Sequence, residues 1–422
     1  MDVGIREGER RRLSRVEGDL EIEDDAVVEV EGELLTVTGD LICFGDVEIK
    51  GSVSADSFEG RESHEGRRHF GPRLHYGRSG TVTIDGRLTV RDEVKAKGRL
   101  KVQENLTANE TDIGGALEVG KNVASESIDI GGRLWIGGSV KSDDITVGGT
   151  AEVLGEAVIQ DVNVGGRLDF KGTCDIGRLH CGGKAQVAGG KIDEIDVGGT
   201  FESMGKLIFR SIDVGGTVVL GEGSEGEDID IGGKLEASGD LKVRTIDVGG
   251  VLRVEGSVDG SSIEVGGSIR IGRDLKLTRG LDVGGRLKLY GSGTMYSLEV
   301  GGSAEADALI VENEASVGGE VITSRGLKAD RIELGRRGEA TGPLIAKTVT
   351  LGRDADVEDV HADYLDMEAH ASARNLYVKR ARIARGCTIR GRTLYTDSLE
   401  TDRDIDFSQR PEKVDALPAP PL

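Results

Sequence analysis

The stretch that decides the fold reads Ile246-Asp247-Val248-Gly249-Gly250-Val251-Leu252-Arg253-Val254-Glu255-Gly256-Ser257-Val258. Its opening motif, two aliphatic residues around a polar and most often acidic one and then two glycines, recurs from Ile113 to Gly319 with a nearly constant spacing. The glycine pairs begin at Gly114, Gly131, Gly148, Gly165, Gly182, Gly198, Gly215, Gly232, Gly249, Gly266, Gly284, Gly301 and Gly318. This period is too short for a helix pair or a propeller blade and matches one coil of a β-solenoid.

Within each repeat, apolar and polar residues alternate, which predicts short strands with one buried face. A second glycine follows ten residues after the start of many repeats, for example at Gly138 and Gly155. Glycine adopts positive φ without steric cost, so we expect positive φ among the repeat corners Gly131, Gly198, Gly249 and Gly284. Three short strands per repeat predict an all-β, roughly triangular β-helix with about 17 residues per coil.

The same alternation extends backwards to Val94 and forwards to Ile383, which gives about eighteen coils between Val94 and Ser398. We therefore divide the chain into a basic N-terminal tail (1–15), N-terminal solenoid coils (16–57), an Arg/His-rich insertion loop (58–81), the main β-solenoid (82–399) and an acidic, proline-rich C-terminal tail (400–422). The C-terminal tail is expected to be disordered or extended.

Composition excludes several classes of function. The formal net charge of −22 disfavours binding of nucleic acid or anionic lipid along the shaft. The first fifteen residues hold no apolar signal segment, so a cytoplasmic location, with possible contact to a membrane surface, is the expectation. The four cysteines lack zinc-ligand spacing, and the one G-x-G-x-x-G match, at Gly221–Gly226, is acidic and is not followed by a helix pattern. We expect no metal, nucleotide or other cofactor.

Three histidines fall in the insertion, at His64, His69 and His75. They could bind a metal or supply a general base, as rim histidines do in trimeric left-handed β-helix enzymes. A solvated Arg/His loop is the favoured interpretation, because no ligand set is fixed on a rigid element. We assign no catalytic residue.

An acidic ladder follows from the second position of the repeat, where seven successive coils carry Asp196, Asp213, Asp230, Asp247, Glu264, Asp282 and Glu299. Like charges stacked at strand spacing repel unless cations or basic neighbours compensate. We expect a solvated wall that is partly neutralised by Lys234, Arg253, Arg286 and Lys288, in preference to a specific cation site.

A basic end contrasts with this ladder and comprises Arg374, Lys379, Arg380, Arg382, Arg385, Arg390 and Arg392. It could contact an acidic protein, an anionic membrane or, less in keeping with the acidic shaft, nucleic acid, or it could be a solvated face balanced by Glu400, Asp402, Asp404 and Asp406. The residues alone leave these alternatives open.

The glycine-cornered repeat and the flanking tails resemble the bactofilins, the polymer-forming cytoskeletal proteins, over roughly residues 35–399. The resemblance implies a right-handed parallel β-helix that polymerises end to end, without nucleotide, into filaments used as cell-shape or scaffolding elements. The partner would be the protein itself. We place the contacts at the coils from Leu35 to Val53 and from Leu365 to Leu399, with the candidate interface residues Leu41, Val47, Ile49, Leu394 and Leu399.

Two alternatives compete with a non-enzymatic filament. Left-handed hexapeptide-repeat acyltransferases also form triangular solenoids, but their coil consists of three equal hexapeptides, whereas the dominant repeat here does not divide into three equal parts. A non-polymerising binding rod is the other alternative.

Overall fold

A computed structural model describes residues 2–63 and 80–422. It is a β-solenoid, in which parallel strands stack in about 23 turns, about 17 residues apart, and it contains no helix among the described residues. The fold predicted from the repeat is confirmed. None of the described residues forms a helix with the length and apolarity needed to cross a membrane. The chain divides into two compact units, Met1–Phe209 and Arg210–Leu422.

The strands are short and numerous. In the first unit, β1–β26 are Val3–Ile5, Arg10–Leu13, Arg15–Val16, Leu20–Ile22, Val27–Val37, Asp40–Phe44, Val47–Ala55, Ser57–Arg61, Thr81–Ile84, Leu88–Val90, Glu93–Ala96, Arg99–Val102, Leu106–Thr107, Glu110–Ile113, Ala116–Val119, Val123–Ala124, Ser127–Ile130, Arg133–Ile136, Val140–Val147, Thr150–Val153, Ala157–Val164, Arg167–Phe170, Cys174–Cys181, Lys184–Val187, Gly190–Val197 and Thr200–Ser203. The following strands, β27–β48, are Leu207–Val214, Thr217–Leu220, Ser224–Ile231, Lys234–Ala237, Leu241–Val248, Val251–Val254, Val258–Val265, Ser268–Ile271, Leu275–Leu277, Gly280–Val283, Arg286–Leu289, Ser292–Val300, Ser303–Val317, Glu320–Leu334, Glu339–Thr341, Leu344–Leu351, Asp356–Met367, Ser372–Ile383, Thr388–Ile389, Thr393–Thr401, Asp406–Phe407 and Glu412–Lys413.

One coil of the first unit shows how the alternation builds three sides. Strand β20 forms one side, and β21 forms two, because it bends where Gln160 and Asp161 both point away from the interior. Each side contributes two inward residues, and all six are at most 3% exposed: Ala151, Val153, Ala157, Ile159, Val162 and Val164. Burial of six aliphatic side chains per coil is the main stabilising contribution, at roughly 1.5 to 3 kcal/mol for each larger side chain before entropy is subtracted.

Register places equivalent residues of neighbouring coils directly over one another. Leu117 pairs with Leu134, and Leu134 pairs with Ala151, all in parallel. Outward residues stack in the same way, so each outward position becomes a column that runs along the solenoid. Side chains at equivalent positions of successive coils are therefore separated by the strand spacing of roughly 4.8 Å.

The prediction of positive φ at Gly131, Gly198, Gly249 and Gly284 was wrong, because none of the four has it. Close stacking explains these glycines instead. A Cβ built on Gly249 would lie 2.6 Å from the carbonyl oxygen of Gly232, and one on Gly198 would lie 2.6 Å from that of Gly182. Each glycine corner rests directly on the corner of the preceding coil, and no side chain fits between them.

The N-terminal boundary differs from the expected tail at 1–15, because β1, β2 and β3 lie there. Strand β1 pairs with Leu20–Ile22, and β2 pairs with the beginning of β5. The run of arginines obscured this coil in the sequence. Arg11 occupies an inward position over Val28, where an aliphatic residue is the rule.

The expected insertion and C-terminal tail also differ at their edges. Phe58, placed at the start of the loop, is a wall residue that is 1% exposed and pairs with Leu41 and Val94. His64, His69 and His75 lie outside the described residues. At the other end, β47 and β48 continue the stacking beyond residue 399.

Candidate functional site

The cysteine thiols are packed in the interior. All four, at Cys43, Cys174, Cys181 and Cys387, are free and buried. Burial raises the pKa of the Cys174 thiol to about 12 and also raises the pKa of the other three. Because the thiolate is the reactive form, these residues are core packing groups rather than nucleophiles.

One group of carboxylates in the described part of the chain has oxygen atoms within 4.8 Å of one another, formed by Asp24, Asp25 and Asp46. The Oδ1 of Asp24 accepts hydrogen bonds from the backbone amides of Asp25, at 3.1 Å, and Asp46, at 2.7 Å. The Oδ1 of Asp46 accepts one from the amide of Thr81 at 2.7 Å. The carboxylates of Asp24 and Asp46 thus bind backbone amides at the coil corner, which is a structural role.

The acidic ladder is a continuous column in the second unit. Asp230 pairs with Asp247, Asp247 with Glu264, Glu264 with Asp282, and Asp282 with Glu299. These side chains are exposed, and all but Asp230 border a shallow groove of about 690 Å³ together with hydroxyls such as those of Thr245 and Ser262. In the described part of this unit, no ladder carboxylate forms an ion pair within 4.0 Å. The ladder is therefore an uncompensated acidic face.

The bases expected to neutralise the ladder bind other partners. Lys234 pairs with Glu236 at 2.7 Å, Arg253 with Glu255 at 2.7 Å, and Lys288 with Glu305 at 2.7 Å. The Nε of Arg286 donates to Ser303. In the first unit, Asp196 differs from the rest of the ladder, because its carboxylate lies 3.1 Å from Nδ1 of His180.

The basic end is partly neutralised. Arg374 pairs with Asp359, Lys379 with Asp363, Arg382 with Asp366, and Arg390 with Asp356, each acid lying one or two coils earlier. The expected balancing acids Glu400, Asp402, Asp404 and Asp406 are not the partners. Arg380, Arg385 and Arg392 form no ion pair among the described residues. An acidic protein or membrane partner would have to rely on these three.

The N-terminal coil exposes strand edges. Strands β1, β2 and β3 each pair with a strand on one side only within the described residues. Arg6 and Arg10 form no ion pair in this part of the chain, while the guanidinium of Arg11 donates to the carbonyl of Gly4 at 3.3 Å. This end therefore carries unpaired backbone groups beside positive charge.

The C-terminal coil exposes edges too, beside negative charge. Within the residues that the structure describes, strand β47 pairs only with β45, and β48 only with β46. Glu400, Asp402, Asp404 and Asp406 are exposed here, and none of them forms an ion pair among the residues described. The two terminal coils thus carry opposite charges.

The candidate interface residues divide by position. Leu41, Val47 and Ile49 are at most 3% exposed and have coils on both sides. Leu399 faces inward in the last coils, over Ala381, but Leu394 lies over the outward-facing Tyr377. Of the five, only Leu399 is placed at a terminal cross-section.

Sequence reasoning missed a further surface, formed by the C-terminal residues 414–422 and an outward column that contains Ile345, His361 and Tyr377. The signal was present, since bulky apolar or aromatic residues recur there at equivalent outward positions of successive coils. This pattern was overlooked because the alternation of apolar and polar residues predicts that outward side chains are exposed to solvent.

The fold and these surfaces define a parallel β-solenoid with oppositely charged terminal coils. No family model matches the chain, and neither a search of curated proteins nor one of solved structures finds a match.

Proposed function

We propose that the protein is a structural scaffold that assembles head to tail, through its terminal coils, into filaments that need no nucleotide. The observation that carries this proposal is that strands of both terminal coils, β1–β3 in the first and β47 and β48 in the last, pair on one side only among the described residues. The resemblance of the repeat to the bactofilins supports it.

Strand addition supplies the driving force for such assembly. Unpaired backbone N–H and C=O groups on an edge strand bond readily to another edge. A second copy whose first coil meets the last coil of its neighbour would continue the parallel stacking already present in both. The repeat needs no bound ligand to do this, because every coil is stabilised mainly by its neighbours.

Charge gives the contact its direction. Arg6, Arg10 and Arg11 at the N-terminal coil would repel a second N-terminal coil, and the acids Asp402, Asp404 and Asp406 would repel a second C-terminal coil. Head-to-tail contact instead brings opposite charges together. This predicts polar filaments.

A non-polymerising binding rod is the second candidate, and two residues favour it. Arg11 lies over Val28, and Lys413 lies over Tyr395, so each terminal coil carries a basic residue in register with the interior. Inward charge is a known means of blocking edge pairing. In a head-to-tail contact, the acidic residues of the C-terminal coil would have to offset this cost.

Sedimentation velocity and electron microscopy at micromolar concentration, without nucleotide, test the proposal. Wild-type protein should form filaments. Leu399→Arg should shorten them, because Leu399 faces inward at the terminal coil, whereas Leu394→Arg should not, because Leu394 faces outward. A strictly monomeric wild-type protein would leave the binding rod as the function.

A further inference from the structure

The C-terminal residues 414–422 lie along the side of the second unit instead of extending into solvent. The amide of Val414 donates to the carbonyl of Tyr395 at 2.9 Å, and Nζ of Lys328 donates to the carbonyl of Leu422 at 3.4 Å. Between these points, Leu417, Pro418 and Pro420 border a groove of about 670 Å³ against the strands. The segment therefore crosses the coils at right angles to the strands.

The floor of the groove is an apolar column. Ile345 pairs with His361, and His361 pairs with Tyr377, all at outward positions. The rings of His361 and Tyr377 are stacked, with centroids 4.6 Å apart and 26° between their planes. Ile345 is only 7% exposed, while Ile310, two coils earlier in the same column and outside the groove, is 37% exposed. Ile345 borders the groove together with the tail residues Leu417, Pro418 and Pro420.

The sequence of the tail favours an extended conformation. Proline restricts its own φ to values that suit polyproline II, and a residue before proline avoids the helical region, so Leu417 through Pro421 are biased to that conformation. Because proline has no backbone N–H, few amide groups of this segment would lose their hydrogen bonds to water on docking. Nine residues at about 3.1 Å each span about 28 Å, and the four coil steps from Tyr395 to Lys328 span about 19 Å. The tail is therefore long enough to follow the groove, and the extra length allows the bend at Asp415 and Ala416.

We propose that this groove is a binding site for polyproline II peptides, and that it accepts the Leu417–Pro421 segment of a second copy in place of the chain's own. Grooves lined by aromatic side chains recognise such peptides because the ligand is already ordered before it binds. The chain's own tail occupies the site in cis, and exchange of an identical segment between copies preserves every contact. The groove lies on the side of the solenoid and does not include Leu399, so this contact can be tested separately from the proposed end-to-end contact.

Direct binding tests the proposal. The receptor is the full-length chain with Leu417→Asp and Pro420→Gly, which weaken the tail, and the probe is a fluorescein-labelled peptide with the sequence of residues 413–422. Fluorescence anisotropy should show saturable binding. Wild-type protein should bind the peptide at least about tenfold more weakly, because its own tail competes at an effective concentration in the millimolar range.

Two matched tyrosine variants locate the site. In the tail-weakened chain, Tyr377→Asp should abolish binding, whereas Tyr296→Asp, at an exposed tyrosine outside the groove, should leave it unchanged. Circular dichroism verifies the fold of each variant. Absence of saturable binding up to about 1 mM, or binding that survives Tyr377→Asp, would overturn the proposal. The Leu399→Arg chain with the same tail changes should still bind, although its filaments should be shorter, which separates this site from filament assembly.

Discussion

The carbonyl oxygen of Gly232 lies 2.6 Å from the point where a Cβ on Gly249 would be placed. That distance explains why a pair of glycines marks the corner of each repeat more strictly than any other position. A positive φ would admit asparagine as a partial substitute, whereas the backbone oxygen beside Gly249 leaves no room for any side chain at this position. The recurring glycine pairs therefore follow from the short distance between the backbones of successive coils.

Replacing Gly249 with either alanine or asparagine should therefore destabilise the protein. We expect Gly249→Ala and Gly249→Asn to lower the free energy of unfolding by similar amounts, about 1 to 3 kcal/mol, through overpacking. Gly4→Ala is the control, because a Cβ there meets nothing within 4 Å. Urea denaturation with hydrogen exchange at the corner measures the effect. A much smaller loss for Asn than for Ala would contradict the close-packing explanation.

Neutralising members of the acidic ladder should reduce the repulsion between its carboxylates. Asp247→Asn with Asp282→Asn removes both charges that flank Glu264. Like charges at about 4.8 Å in water repel by about 1 kcal/mol, and salt screens them within a Debye length of about 10 Å at 0.1 M. The melting temperature should rise at low salt, and its salt dependence should become flatter.

Asp228→Asn is the matched control for the ladder, because its carboxylate pairs with Arg244 and accepts a hydrogen bond from Thr245. That substitution should lower the melting temperature. If the Asp247/Asp282 double variant loses stability at every salt concentration, the repulsive ladder is refuted.

Strands were predictable wherever alternation was intact. Leu134 and Ile136 are buried as the pattern requires, and so are Val94 and Ile383 at the limits of the weaker repeats. The first coil was missed because Arg11 breaks the alternation at an inward position. The tail was missed for a different reason: its proline pattern indicates an extended chain, but its docking depends on His361 and Tyr377, distant in sequence.

The docked tail should respond to pH through His361. Burial lowers the pKa of this imidazole below its ordinary value of 6.5, and the nearby Asp359 carboxylate only partly opposes the shift. The covered state thus favours neutral His361, so docking is at full strength above pH 6.5 and weakens as the pH falls below 6.5 towards the lowered pKa. Affinity of the tail-weakened chain for the 413–422 peptide should fall over this range.

The control for that pH dependence is His361→Gln. The charged groups Asp359, Asp363, Lys379, Asp397 and Asp415 also surround the groove and remain in both proteins. The glutamine variant should bind the peptide with much less change between pH 7.5 and pH 5. An equal decline in both proteins would show that another group controls the site.

Along the full chain, charge is distributed in a way that the net value of −22 conceals. Among the described residues, the ladder acids of the second unit form no ion pair, and four of the seven bases of the basic end pair with acids of earlier coils. In the first coil, Arg12 and Arg15 are paired, whereas Arg6 and Arg10 form no ion pair within the described residues. Sequence alone located each cluster, but it could not show which members are paired, because pairing depends on which coils are in register.

Charge exchange between the terminal coils tests head-to-tail assembly most directly. One variant carries Arg6→Glu and Arg10→Glu, and the other carries Asp402→Lys and Asp406→Lys. At low salt, sedimentation velocity should show filaments for the wild type and much shorter species for each variant alone. An equimolar mixture of the two variants should assemble again, because every acidic end then meets a basic one. A monomeric wild type, or a mixture no larger than its separate components, would contradict assembly through the terminal coils.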